Sequence, residues 1–483
     1  MNIILVTKII AFLILIIACF MSIPTFIAYI NNETAEFNSF ISTEIFMILL
    51  SLSILLIFRK YRTKNMSARD GFLFVTLSWI TASFFGALPF YLSGAIPAFT
   101  DAFFETISGF STTGASILTS IETLPRSMLF WRSLTHWLGG MGIVVMTVAI
   151  LPLLGIGGLQ LIKAEAPGPT VDKLTPRITE TAKLLWIIYV GFTIAETLLL
   201  MIGGLDLFDA LTHTFGTLAT GGFSPKNTSV GNYDSAYIDG VITFFMILAG
   251  INFALHYRIL SGNIKSVFAD TEIKAYLSIF IIATFIIALS LHGSAYTSIG
   301  TCIRYASFQA ASILTTTGYA TADFEQWPYM AQAVLFILMF VGGCSGSTGG
   351  GIKVIRIVTL FKQGFNEMKF LVHPRGIFAL RISGKTVRKQ IVYAISGFFF
   401  LYIAMLLLVT FVVATSGQDI VTSISVALAT VGNIGPGFGN IGPAENYAFL
   451  SSSVKWFLSF AMLVGRLELY TVLVLFTPTF WKR

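Results

Sequence analysis

Residues 105–116 read ETISGFSTTGAS, a Ser/Thr/Gly cluster that would pass for an ordinary loop in a soluble protein. Here it lies between two very apolar segments, and variants of it recur. They are HTFGTLATGGFS at 213–224, FQAASILTTTGYAT at 308–321 and SISVALATVGNIG at 423–435. Repetition of this kind is a signal about the whole fold. The four stretches align on Gly114, Gly221, Gly318 and Gly432. Each glycine follows two small or β-branched residues: Thr112-Thr113, Ala219-Thr220, Thr316-Thr317 and Thr430-Val431. The apolar lead-in to each cluster, about 10–13 residues, is too short to cross a bilayer but suits a re-entrant half-helix. Non-helical backbone at membrane depth is tolerated only where it is buried or lines water. Four units of span, half-helix, returning strand and span therefore bring four strands to one axis. There the carbonyl oxygens can replace the water of a dehydrated cation. Glycine lets those carbonyls turn inward, and the C-terminal ends of the half-helices present negative dipole ends to the ion.

Composition sets the class. Of 483 residues, 55% are hydrophobic and 11% charged, with a mean hydropathy of +0.83, against about 25% charged residues in soluble domains. The net charge of +7 is spread over short loops, so it makes no patch for nucleic acid. Cys19, Cys302 and Cys344 are too few and too far apart for a disulfide framework or metal knuckle. His136, His213 and His256 come from different elements and are expected to be hydrogen-bonded helix-end histidines rather than metal ligands. No Ser/Lys, Asp/Asp or HExxH pattern supports an intramembrane enzyme.

Apolar runs long enough to span fall near 4–30, 41–58, 71–95, 128–155, 184–204, 237–259, 275–292, 328–361, 390–415 and 453–477, ten in all. The first is too long for a signal-peptide core and is expected to be an uncleaved helix. Basic residues cluster after the second, fourth, sixth and eighth runs, while the alternate connections hold only Arg126, Arg132, Lys226, Arg304 and Lys455. The positive-inside rule then places both termini in the cytoplasm. The expected fold is an all-α polytopic membrane protein. A transmembrane hairpin (1–65) precedes repeats at 66–160, 161–265, 266–375 and 376–483, arranged pseudo-fourfold about a central ion path with four re-entrant pore helices.

Two further features lie below the glycine clusters. The eighth run contains GGCSGSTGGG at 342–351. Glycine costs a helix interior about 1 kcal/mol relative to Ala, so this span should break at mid-membrane. A phosphate loop fails on spacing, because Lys353 does not directly follow a glycine and no Ser/Thr follows it. Arg466 sits near the middle of the last run, where an arginine is a functional candidate by default. Glu468, two residues on, faces away from it on a helix. Glu196 is the candidate proton-relay acid.

Together with ARDGFL (68–73), HWLGGMGIVV (136–145), GINFALHY (250–257), GCSGSTGGGIKVIR (343–356) and GRLELYTVLVLFTP (465–478), these motifs resemble the Trk/Ktr/HKT superfamily of potassium transporters, in particular its TrkH/TrkG-type bacterial membrane subunits. The resemblance spans essentially the whole chain. It implies K+ uptake across the bacterial inner membrane, with K+ held by backbone carbonyls of a selectivity filter. That filter comprises Thr112, Thr113, Gly114, Ala219, Thr220, Gly221, Thr316, Thr317, Gly318, Thr430, Val431, Gly432 and Asn433. It implies a gating loop of Gly342, Gly343, Gly346, Ser347, Thr348, Gly349, Gly350, Gly351 and Lys353, and Arg466 as a barrier in the path. It also implies a homodimer and a cytosolic TrkA-type regulatory subunit that binds NAD(H) and/or ATP, this chain binding no cofactor of its own. In that family, glycine at all four filter positions goes with K+ preference. The residues after the aligned glycines, Ala115, Gly222, Tyr319 and Asn433, all differ, so fewer carbonyl rings are expected to be regular and selectivity less strict. An alternating-access carrier of another solute is the alternative; it predicts two inverted halves rather than four parallel repeats.

Overall fold

The computed structural model describes residues 1–61, 66–140, 142 and 178–482. These are overwhelmingly helical, with one two-stranded hairpin, Arg381–Ile382 against Lys385–Thr386. The chain opens with α1 (Ile3–Ile30) and α2 (Thr34–Ile57), packed as an antiparallel pair. In α1 the buried positions Leu5, Ile9, Leu13, Ile17 and Met21 recur every fourth residue, making a stripe that faces the protein. The outward side chains are equally apolar: Ile45, Leu49, Leu52 and Leu56 on α2 are all exposed. A helix apolar on both faces has lipid for solvent. α3 (Ala68–Leu92) starts with a capping box in which Ser67 and Asp70 satisfy each other's backbone N–H. Asp70 also accepts the N–H of Asn2 at 2.7 Å, which fastens the chain start to α3.

Four short helices follow long ones: α4 (Phe99–Phe110), α7 (Leu207–Ala219), α12 (Ile299–Leu314) and α16 (Ile420–Val431). They are 12, 13, 16 and 12 residues long and almost wholly buried over their last two turns. Their long partners are α3, α6 (Ile178–Ile202), α11 (Thr271–Leu291) and α15 (Lys389–Ala414).

The elements after the second, third and fourth glycine clusters depart from the ten-span expectation. Six described helices are long and apolar enough to cross a membrane, or eight if two bent pairs each count as one span. The run at 237–259 is α8 (Ala236–Ala249) and α9 (Phe253–Leu260), bent by 100°, with the short α10 (Ile264–Phe268) after it. The run at 453–477 is α17 (Ser452–Arg466) followed by Glu468–Phe476, bent by 110°, the first part of which is α18 (Glu468–Leu473). At 328–361 the break is complete: α13 (Tyr329–Leu338) and α14 (Val354–Val372) flank a non-helical segment. The sequence pointed to this break alone. The other two occur at Gly250–Asn252, where Asn252 caps α9, and at Glu468, whose φ of 55° a helix cannot continue through. The run at 128–155 contributes α5 (Arg126–Gly140), and its remainder lies outside the described residues.

Candidate functional site

The four short helices end alike. The N–H groups of Thr113, Gly221, Thr317 and Ile434 return to the carbonyls of Ser108, Gly216, Ser312 and Ala429, each five residues back, at 2.8–2.9 Å. One residue earlier in each stretch the backbone turns left-handed: Thr112 at φ 53°, Thr220 at 55°, Thr316 at 61° and Asn433 at 53°. Threonine is an outlier in this region and asparagine tolerates it. One residue later stands a glycine of positive φ: Gly114 at 81°, Gly222 at 78°, Gly318 at 81° and Gly435 at 93°.

This corrects the register read from the sequence. Gly114 and Gly318 are as aligned, but the second and fourth partners are Gly222 and Gly435, not Gly221 and Gly432. Gly221 occupies the position of Thr113. Gly432 has an ordinary helical φ of −78° and only caps α16. Ala219, Thr430 and Val431 accordingly belong to last helical turns rather than to the extended stretch. The shared pattern is Thr-x-Gly three times and Asn-x-Gly once, at 112–114, 220–222, 316–318 and 433–435. The residues after the glycines become Ala115, Phe223, Tyr319 and Pro436.

The glycines close a ring. A Cβ on Gly114 would strike the carbonyl oxygen of Gly221, one on Gly222 that of Thr317, one on Gly318 that of Ile434, and one on Gly435 would lie 2.6 Å from that of Thr113. Each glycine thus abuts the carbonyl preceding the next repeat's glycine, in the order one, two, three, four and back to one. All four glycines line one cavity of about 130 Å³. Among the described residues, no hydrogen bond is accepted by the carbonyls of Thr112, Thr113, Thr220, Thr316, Thr317, Asn433 or Ile434, although these residues are buried. Buried carbonyls are normally paired, so a convergent set without partners is an electronegative site suited to a cation.

The ring is braced by a buried ion pair that sequence reasoning passed over. Glu105 on α4 and Arg132 on α5 meet at 2.6 Å, with side chains 0% and 3% exposed. Glu105 also accepts from Ser116 Oγ and the Ile117 N–H, each at 2.9 Å, so it holds the strand after Gly114. Arg132 donates to the Ser224 carbonyl at 3.0 Å and covers the Phe223 ring, so it holds the strand after Gly222. It is a buried helix residue, not the loop residue its place among the external basic side chains suggested. Behind the third stretch, Tyr319 Oη donates to the carbonyls of His213 and Phe223 at 3.0 and 3.1 Å. In the fourth, Asn433 Nδ2 donates to Thr113 Oγ1 at 2.8 Å and to the Met462 carbonyl at 3.0 Å.

The segment between α13 and α14 lies against this ring. The Gly350 N–H donates to Thr316 Oγ1 at 2.7 Å. A Cβ on Gly349 would sit 3.1 Å from the Thr315 carbonyl, and one on Gly350 would strike that of Gly432. Gly342 pairs with Ile352 across the loop at 2.9 Å, and a Cβ on it would strike the Gly350 carbonyl. Gly343 accepts from the Val354 N–H at 3.2 Å, and Gly351 has a φ of 63°. Ser347 Oγ donates to the Cys344 carbonyl at 2.6 Å, and Lys353 Nζ donates to the Gly349 carbonyl. The bend between α8 and α9 supports the far side. Cys344 N–H donates to the Gly250 carbonyl at 2.8 Å, Thr348 Oγ1 to that of Ala249 at 3.2 Å, and Phe253 N–H to that of Gly346 at 3.0 Å.

Arg466 closes α17 beside the same loop. Its guanidinium donates to the Thr348 carbonyl at 2.6 Å and to those of Gly139 and Gly140 at 2.8 and 3.1 Å. Glu468 pairs with Arg356 instead. Glu196 on α6 is fully buried, and neither carboxylate oxygen has a hydrogen-bond partner among the described residues. His136, His213 and His256 pair with the backbone carbonyls of Gly109, Asp209 and Leu248 at 2.7–2.9 Å.

Residues 38–483 match the model of a family described as "TrkH: Cation transport protein". The chain is 41% identical over 482 residues to the Trk system potassium uptake protein TrkH of Escherichia coli (strain K12), covering 99% of each. It is 36% identical over 485 residues to that organism's Trk system potassium uptake protein TrkG, covering 99% of this chain and 98% of the other. Its structure superposes with a TM-score of 0.89, at 37% identity and full coverage of both chains, on the crystal structure of the potassium transporter TrkH from Vibrio parahaemolyticus. Four helix ends closing one carbonyl-lined ring inside a multi-pass helical body, and likeness of this extent along the whole chain, lead to one assignment: the chain belongs to the TrkH family of cation transport proteins.

Proposed function

We propose that this chain takes up K+ across the bacterial cytoplasmic membrane, with the four-glycine ring as its selectivity filter. The observation that carries this reading is the unpartnered carbonyl set closed by Gly114, Gly222, Gly318 and Gly435. K+ is large and gives up its hydration shell to such oxygens at modest cost. The short helices aim their C-terminal ends at the same point, adding partial negative charge. The relatives' names as potassium uptake proteins support the choice of cation. The loop from Gly342 to Lys353 is the gate, because it lies against Thr315, Thr316 and Gly432 at the inner ends of two stretches. The transporter works as a homodimer with both termini in the cytoplasm, where a TrkA-type subunit holding NAD(H) and/or ATP controls the loop. The test is flux from purified protein in liposomes: ⁸⁶Rb⁺ uptake is expected to be displaced by K+ and poorly by Na+. Equal displacement by both cations, or no cation flux from folded protein, overturns the reading.

Arg466 is the barrier below the filter. One guanidinium about 6 Å from a monovalent cation repels it by roughly 3 kcal/mol at an effective dielectric of about 20. The carbonyls of Thr348, Gly139 and Gly140 offset part of that charge. A remaining barrier of about 1.4 kcal/mol slows flux about tenfold. Arg466→Gln and Arg466→Ala are therefore expected to raise K+ flux per folded dimer by about that factor, with the K+/Na+ ratio kept. Lower flux together with a collapsed yield on size exclusion assigns Arg466 to the scaffold.

A further inference from the structure

The loop beneath the ring has a fastening at its base. Glu272 sits in the first turn of α11, where an acid usually needs no explanation beyond the helix dipole. Its backbone N–H is already satisfied by the cap residue, Asp270, at 2.8 Å. Its carboxylate turns away from its own helix. Oε1 accepts the N–H of Ser345 at 2.7 Å and the N–H of Ile355 at 3.0 Å. These two donors stand ten positions apart in the chain, one at each end of the loop, and a single oxygen joins them. Glu272 is only 8% exposed.

Most other tethers of the loop join neutral groups. Cys344, Thr348, Gly346 and Gly350 are each held by hydrogen bonds between neutral groups. The Glu272 oxygen differs in gathering two N–H groups, from two points of the chain, on one acceptor. Thr348 also receives Arg466, and Gly349 receives Lys353 Nζ, both charged donors, but at the loop's middle rather than its base.

We propose that Glu272 is the positioning residue of the gate: by gathering Ser345 and Ile355 on one oxygen it closes the base of the loop and holds Gly349 and Gly350 against the ring. The loop leaves the ion path when this clasp opens. The proposal rests on the loop being the gate, so its test reads the loop separately from the flux.

Cys344 provides the separate reading, since it lies inside the loop and is fully buried. With Cys19 and Cys302 replaced by Ser and Ala, the labelling rate of Cys344 by a membrane-impermeant thiol reagent is measured in everted vesicles. ⁸⁶Rb⁺ flux of the same variants is measured beside a deletion of residues 346–351. Glu272→Ala is expected to speed labelling about tenfold or more, through loss of both bonds to the loop. Glu272→Gln, which keeps an acceptor oxygen without the charge, is expected to fall between Ala and wild type. Flux without the cytosolic partner rises in the same order, with the Rb+/Na+ ratio unchanged. A role limited to helix charge predicts equal effects of Gln and Ala, and that result overturns the clasp, as does unchanged labelling in folded protein. Graded labelling with unchanged flux, while the deletion raises flux, refutes control of opening by the clasp. Unchanged flux in the deletion itself refutes the gate, and graded labelling then still upholds the clasp.

Discussion

Serine at Gly222 or Gly435 is expected to cost at least about tenfold in K+ over Na+ discrimination, a loss of about 1.4 kcal/mol in differential binding. Serine at Gly114 or Gly318 should do the same. All four glycines have φ between 78° and 93°, where an L side chain costs about 1–2 kcal/mol by itself. The added Cβ also lands on the carbonyl that the neighbouring repeat supplies to the ring. The carbonyl must turn or withdraw, and the site then fits the smaller, more tightly hydrated Na+ less unfavourably. Gly221 and Gly432 are the contrast. A Cβ on Gly221 would lie 2.6 Å from the His136 ring, and one on Gly432 about as close to its own helix at the Leu428 carbonyl, 2.5 Å away. Substitution there is expected to lower the yield of folded protein while the surviving fraction keeps its selectivity. Competition of ⁸⁶Rb⁺ uptake by Na+, normalised to folded protein, separates the two sets. Loss of selectivity at Gly221 and Gly432 with retention at Gly222 and Gly435 would restore the register first read from the sequence.

Glu105→Ala should destabilise the body by about 3–5 kcal/mol, the range for stranding one partner of a buried pair. Among the described residues, Arg132 would keep its charge with the Ser224 carbonyl and the Phe223 ring beside it. Ser116 and Ile117 would lose their acceptor as well. Replacing both ionic partners at once, with Glu105→Leu and Arg132→Met, removes the stranded charge, and most of the thermal stability should return. The strands after Gly114 and Gly222 would still be unbraced, so selectivity should remain impaired in the stable double variant. Thermal unfolding in detergent, paired with the Na+ competition assay, reads both. A double variant no more stable than Glu105→Ala would mean that the pair matters for packing shape rather than for charge.

What the sequence by itself determined are the properties that depend on neighbours along the chain. Hydropathy over windows of a span's length marked a polytopic membrane protein, because lipid rewards apolar side chains whatever they pack against. The four lead-ins were legible as short helices, since α4, α7, α12 and α16 are amphipathic or apolar over their own length and run into clusters of Ser, Thr, Gly or Asn. The glycine run at 342–351 announced its own break. Tertiary structure decided the rest. Gly221 and Gly222 are indistinguishable in a string, and Val431-Gly432 resembles a filter better than Ile434-Gly435 does. Only the closing of each glycine on the next repeat's carbonyl selects between them, through contacts about a hundred or more residues apart. The bend after Ala249 became visible only with the loop segment that packs into it. Glu105 and Glu272 looked like ordinary helix-end acids because their partners, Arg132 in one case and Ser345 and Ile355 in the other, lie 27, 73 and 83 positions away. A buried charge is defined by what surrounds it, and in this protein the surroundings come from other elements, distant along the chain.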